Sequence, residues 1–147
     1  MKNLKEKIES EGDFHHFTNE FNGIEICCKI VRNGFGALCG YVCINSDNAL
    51  YGKDYNDISI LIDYFPHGGL TYSDFDDGSW KIGFDCSHYG DLIPQLNIES
   101  NLPKTSGEEI YRDLEFVKSE CKNLAESVSK HSKLIKRLKN INNVLSQ

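Results

Sequence analysis

The chain has 147 residues, with 16 Lys and Arg against 22 Asp and Glu, a formal net charge of −6, and 39% hydrophobic and 11% aromatic residues. This length predicts one domain with a core of its own and the composition excludes general disorder, while no apolar run approaches the roughly 20 residues that span a bilayer and no secretory signal is expected behind the charged N-terminus. The acidic balance excludes duplex nucleic acid as main partner, because phosphate contacts need a basic face.

The charge is uneven. Residues 127–147 hold Lys130, Lys133, Lys136, Arg137 and Lys139 and no carboxylate, so they carry +5 and leave −11 on the other 126 residues.

In chain order, residues 1–20 are charged with a short helical pattern, and Asn22-Gly23 is a turn. Ile24 to Arg32 reads as a strand with Ile24, Ile26, Cys28 and Ile30 on one face. Asn33-Gly34-Phe35-Gly36 turns the chain and Ala37 to Ile44 returns, which predicts an antiparallel hairpin. After a polar loop from Asn45 to Asp57, the near-continuous apolar start of Ile58 to Phe65 predicts a buried third strand ended by Pro66. Gly69 to Ser73 and Trp80 to Cys86 predict a fourth and a fifth strand, joined by a turn over Asp74 to Ser79. His88 to Ser106 is loop-rich.

Ser106 and Glu109 form a capping box. From there Ile110, Leu114, Val117, Cys121, Leu124, Val128, His131, Ile135, Leu138, Asn142 and Leu145 alternate spacings of four and three, a heptad seam. A continuous helix over 107–146 would be ~60 Å long, far beyond a globule with a radius of gyration near ~15 Å. It either folds back near Ser127–Ser132 or protrudes and needs a partner. The expected architecture is α+β: a small antiparallel β-sheet of about five strands with a short N-terminal helix in residues 1–106, then a long C-terminal helical oligomerisation element in residues 107–147.

The six cysteines, Cys27, Cys28, Cys39, Cys43, Cys86 and Cys121, form no C-x-x-C pair, and most sit in apolar patterns. They are expected to be reduced and buried, without structural zinc.

Residues 47–91 hold nine aspartates and no glutamate, against only Lys53 and Lys81. Three chemistries fit this region. His67, Asp85, His88 and Asp91 are candidate metal ligands for a hydrolase, although their spacing matches no well-marked motif. Cys86 is a candidate nucleophile with His67 or His88 as base, set against a buried structural thiol at a strand end. The third is a non-catalytic nucleotide-like pocket. There Gly68-Gly69 admits close backbone approach. Tyr51, Tyr55, Tyr72, Trp80 and Tyr89 supply stacking faces, and Lys53, Arg112 and the start of the long helix hold phosphates. Core packing is the alternative for Phe65, Phe84 and Trp80.

Several of these residues form motifs: Tyr51-Gly52-x-Asp54-Tyr55, His67-Gly68-Gly69-Leu70-Thr71-Tyr72-Ser73, Trp80-x-x-Gly83-Phe84-Asp85-Cys86-x-His88-x-Gly90-Asp91, Tyr111-Arg112-Asp113 and Glu120-Cys121. Over residues 38–125 the chain resembles a widespread family of small bacteriophage proteins. The resemblance implies a phage immune-evasion role: an oligomeric (dimeric or tetrameric) anti-CBASS sponge in the cytoplasm of the infected bacterial host. It would sequester a cyclic nucleotide such as 3′3′-cGAMP without cleaving it and without a cofactor. The expected ligand-binding residues are Tyr51, Lys53, Tyr55, His67, Gly68, Gly69, Thr71, Tyr72, Asp85, His88 and Arg112, with no catalytic residue and no metal. The rival readings are the metal-dependent hydrolase and a protein–protein inhibitor acting through the C-terminal helix.

Overall fold

The computed structural model describes residues 3–96 and 108–145. Helix α1 (Leu4–Glu11) leads into strands β1 (Phe14–Phe21), β2 (Ile24–Arg32) and β3 (Leu38–Ile44), then α2 (Tyr55–Leu61), β4 (Tyr72–Asp76), β5 (Ser79–Asp85), α3 (Leu114–Ser129) and α4 (Lys133–Leu145). The five strands form one antiparallel sheet in the order β1-β2-β3-β5-β4. The α+β class and the five-stranded antiparallel sheet are as expected, and the β2–β3 hairpin falls where its turn residues placed it.

The membership of the sheet differs from the expectation. Residues 14–21 supply an edge strand whose inward positions include Phe17 and Phe21, both packed against the core. The expected strand over Ile58 to Phe65 is instead helix α2 followed by an irregular segment. The cap outweighs the strand preference of its isoleucines: the Asp54 carboxylate accepts from the Asn56 N–H at 2.9 Å, and Asp57 favours the helix start. Of the apolar side chains in α2, Ile58 is fully buried while Ile60 is 83% exposed. The fourth strand sits three residues later than expected, and its turn tightens to Asp77-Gly78, both with positive φ.

One sheet face carries Cys28, Ile30, Leu38, Val42, Ile44, Ile82 and Phe84, all buried under Val117, Cys121, Leu124 and Val128 of α3. The four-three spacing read as an oligomer seam is, in this half, the stripe that lies on the sheet; an amphipathic helix on a sheet and a coiled coil share that spacing. Gly40 makes the close approach possible, since a Cβ there would stand 2.5 Å from the Phe84 ring and 2.7 Å from Cys121 Sγ.

The long helix is two helices, not one continuous rod. The segment 45–50 ends α3: Asn48 Nδ2 donates to the Val128 carbonyl at 2.9 Å and the Ala49 N–H donates to the His131 carbonyl at 2.9 Å. These bonds take one of the last carbonyls of α3 and one in the turn after it, and the Lys133 N–H donates to the Asp47 carbonyl as α4 begins. The N-terminus of α3 is also later than expected. Asp113 caps it by accepting from the Phe116 N–H at 2.9 Å, and residues 108–113 precede it without helix. Ser106 of the expected capping box lies outside the described residues.

Cys28, Cys39, Cys86 and Cys121 are buried, and Cys27 and Cys43 are partly so. Among the described residues no helix is long and apolar enough to cross a membrane.

Candidate functional site

Three segments meet beside the start of α3. The first is the turn before β4, where the Gly69 N–H donates to the Pro66 carbonyl. The second is the turn after β5, closed by the Asp91 N–H on the His88 carbonyl. The third is residues 110–112, held to the second by a parallel bridge between Asp91 and Ile110.

Asp91 is the centre of the cluster. Its side chain is fully shielded from solvent. It is bonded to His67 Nε2 at 2.9 and 2.8 Å through its two oxygens, and accepts from the His88 N–H at 3.0 Å and Arg112 Nε at 2.9 Å. Burial alone would raise its pKa, but the bonds from His67, the His88 amide and Arg112 outweigh it and hold the carboxyl below its ordinary value. The Arg112 guanidinium lies 5.1 Å from the Phe116 ring centre, and the His67 ring meets the same phenyl edge-on at 5.3 Å.

Asp85, at the end of β5, forms the second part. It accepts from Thr71 Oγ1 at 3.0 Å and from the Ser87 N–H at 3.0 Å. His88 Nε2 lies 3.2 Å from Asp85 Oδ1 but is turned so that no hydrogen bond forms, and that nitrogen is buried. The two imidazoles meet edge-on at 5.8 Å.

The structure therefore brings together His67, Gly68, Gly69, Thr71, Asp85, His88 and Arg112 of the expected ligand residues. It does not bring Tyr51, Lys53 and Tyr55 to them. Tyr51 and Lys53 belong to the opposite end of the β4–β5 pair, where Tyr51 meets Phe75 edge-on at 5.6 Å and the Lys53 carbonyl accepts from Trp80 Nε1 at 2.7 Å, while Tyr55 opens α2 and its N–H donates to Ser73 Oγ at 3.0 Å. Tyr72 stands on the sheet face away from α3, edge-on to Tyr41 at 5.5 Å, with Lys81 Nζ 5.6 Å from its ring centre. A β-strand rises ~3.3 Å per residue, so residues at the two ends of a hairpin cannot share one small pocket.

Four further expectations meet a physical obstacle. The room beside the two glycines is taken by the chain itself, since a Cβ on Gly68 would stand 2.2 Å from the His88 ring and one on Gly69 would stand 2.9 Å from Phe65. The start of α3 already binds carboxylates, Asp113 on the Phe116 N–H and Glu11 on the Leu114 N–H at 2.6 Å, so a phosphate there would meet two negative charges. Cys86 is 3% exposed, and burial, with Asp91 nearby, pushes its thiol pKa well up, which disfavours the thiolate a nucleophile needs. His67, Asp85, His88 and Asp91 do lie together, yet both Asp91 oxygens are occupied, and among the described residues no three His, Cys, Asp or Glu side chains are arranged to hold a metal ion.

Sequence reasoning missed some neighbours. Phe65 is 74% exposed rather than core, whereas Tyr89, one of the aromatic faces expected from the sequence, is exposed. Phe65 is the last residue of the expected third strand, so its misplacement comes from that error. Arg32, which donates to Asp13, Gly36, Gly12 and Tyr111, ties α1 and residue 111 to the sheet. No sequence pattern marks it.

Gly68→Ala is expected to lower stability by about 1–3 kcal/mol, because φ is +69° there and the methyl group displaces His88. In a His88→Ala background the penalty should shrink, since only the backbone strain remains. Urea denaturation of the four proteins in this cycle gives the coupling.

Comparison with known protein families, curated proteins and solved structures finds no match to this chain. The likeness to the bacteriophage family rests on the sequence motifs alone.

Proposed function

We propose that this chain captures a small phosphorylated ligand of the cyclic dinucleotide class, such as 3′3′-cGAMP, at the Asp91 cluster and holds it uncleaved. By the motif resemblance, such capture withdraws a defence signal and inhibits CBASS-type immunity in the host cytoplasm. The copies would act as an assembly joined through α4.

The observation that carries this reading is the way Asp91 orients Arg112. The buried carboxylate engages Nε, and the two Nη groups have no acceptor among the described residues on a side chain 23% exposed. An oriented guanidinium fork suits the paired oxygens of a phosphate. Exposed Phe65, beside Gly69, and Tyr89, beside His88, supply aromatic faces of the kind on which bases stack. The capture reading is favoured over hydrolysis because Asp91 is already bonded to His67 and Arg112, Asp85 to Thr71, and the thiol is buried.

Arg112→Met is expected to weaken binding of 3′3′-cGAMP about tenfold to a hundredfold, the loss of charge-assisted hydrogen bonds, with Arg112→Lys between the two. Calorimetric titration of folded protein measures it. An unchanged dissociation constant in Arg112→Met would remove Arg112 from the site, and no binding by wild type would remove the ligand class.

A further inference from the structure

A second feature lies at the opposite end of β3 from the Asp91 cluster. A groove of about 420 Å³ has Ile24, Ile26 and Ile44 among its lining and Glu20, Glu25 and Asp47 at its margin. Glu20 and Glu25 stand directly opposite each other in the β1–β2 ladder. Like charges in that position repel, and among the described residues neither glutamate is paired with a cation.

The complement of this groove is α4. Its sequence, KLIKRLKNINNVL, has four cations and no carboxylate. It is attached to the body at its first turns, through the Lys133 N–H on the Asp47 carbonyl and Arg137 at 3.7 Å from Asp47. Several of its apolar residues face solvent: Leu134 is 43%, Ile141 53% and Val144 69% exposed. A helix of this length is marginal in water without packing. Pairing α4 with another α4 would set four cations against four, whereas the groove edge offers the unpaired carboxylates of Glu20 and Glu25.

We infer that α4 of one copy of this chain seats in the acidic groove of a second copy, and reciprocally, closing a two-fold dimer. The inference rests on the assembly part of the proposed function and is independent of the ligand. The root of α4 adjoins the groove of its own chain through Asp47 and Ser132, so a two-fold axis near this edge sets each helix beside the partner's groove.

The test is a charge swap read by analytical ultracentrifugation. Wild type should sediment at twice the chain mass of 16.7 kDa. Glu20→Lys/Glu25→Lys and, separately, Lys136→Glu/Arg137→Glu/Lys139→Glu should each sediment as monomers. An equal mixture of the two should restore the dimer, since each reversed groove then meets a reversed helix. Ile141→Gln gives a second, charge-sparing route to the monomer. Circular dichroism verifies that each variant is folded. A monomeric wild type would overturn the inference, leaving the groove to another partner or to the chain's own helix. Dimeric swap variants, or a folded mixture that stays monomeric, would overturn it equally. Binding of 3′3′-cGAMP measured on the same samples separates this outcome from failure of the ligand proposal.

Discussion

Asp91→Ala is expected to destabilise the protein by about 3–5 kcal/mol, the cost of breaking a buried, hydrogen-bonded charge cluster by removing one member. The substitution leaves His67 Nε2, Arg112 Nε and the His88 N–H without their shared acceptor. It also loosens the junction of the three loop segments, so ligand capture should fall with stability. Asp91→Asn keeps the size and removes the charge, and its pH dependence carries the sign. The folded-state pKa lies below the ordinary carboxyl value of 3.8, so the contribution of the carboxylate is complete above about pH 5 and fades as the pH falls through the folded value. The stability gap between wild type and Asp91→Asn should therefore be widest near neutrality and narrow below about pH 4. Urea titrations across that range measure it; a gap that widens on acidification would contradict the buried-carboxylate account.

Phe84→Ala is expected to cost about 3–5 kcal/mol, as for a large aromatic truncated in a core that relaxes only in part. Phe84 is 1% exposed and its ring crosses over Gly40 beneath α3. Gly40→Ala alone should cost about 1–3 kcal/mol, because the added methyl group drives into the Phe84 ring and Cys121 Sγ. The double variant should cost less than the two single costs together, since the cavity left by Phe84 receives the methyl group. Strict additivity would mean that the two residues do not touch.

The parts of the fold readable in the sequence are those where one signal dominates. The β2–β3 hairpin has alternating apolar residues and a turn of Asn and Gly, and it forms as written. The α3 stripe of Val117, Cys121, Leu124 and Val128 is equally plain, yet its periodicity does not say whether a sheet or another helix receives it. The sequence was misleading where two signals competed. At 55–61 an aspartate cap overrode a run of β-branched residues, and at 14–21 a polar edge strand hid behind a charged helix start. The break between α3 and α4 falls within the serine-rich 127–132 stretch that chain length marked as one of two outcomes, but the partners that hold it, Asn48 and Ala49, lie about eighty positions away in sequence.

The candidate site divides in the same way. His67, Thr71, Asp85, His88 and Arg112 were found because polar residues and glycines cluster where strands end, and the sheet gathers those ends. Tyr51, Lys53 and Tyr55 were grouped with them by residue type, but strand geometry sets Tyr51 and Lys53 at the other end of the hairpin and the Asp54 cap draws Tyr55 into α2. The central role of Asp91 needed the parallel bridge to Ile110, a tertiary contact that also brings in Arg112.

The central claim is capture without cleavage. Purified protein is incubated with a panel of cyclic dinucleotides, cyclic trinucleotides and cyclic ADP-ribose isomers, passed through a filter that retains the protein, heat-denatured, and the released nucleotides are analysed by chromatography. The account predicts that a cyclic dinucleotide is retained by wild type, lost to the filtrate with Arg112→Met, and recovered intact after denaturation. Retention of nothing from the panel, or recovery of a linearised product, would contradict it.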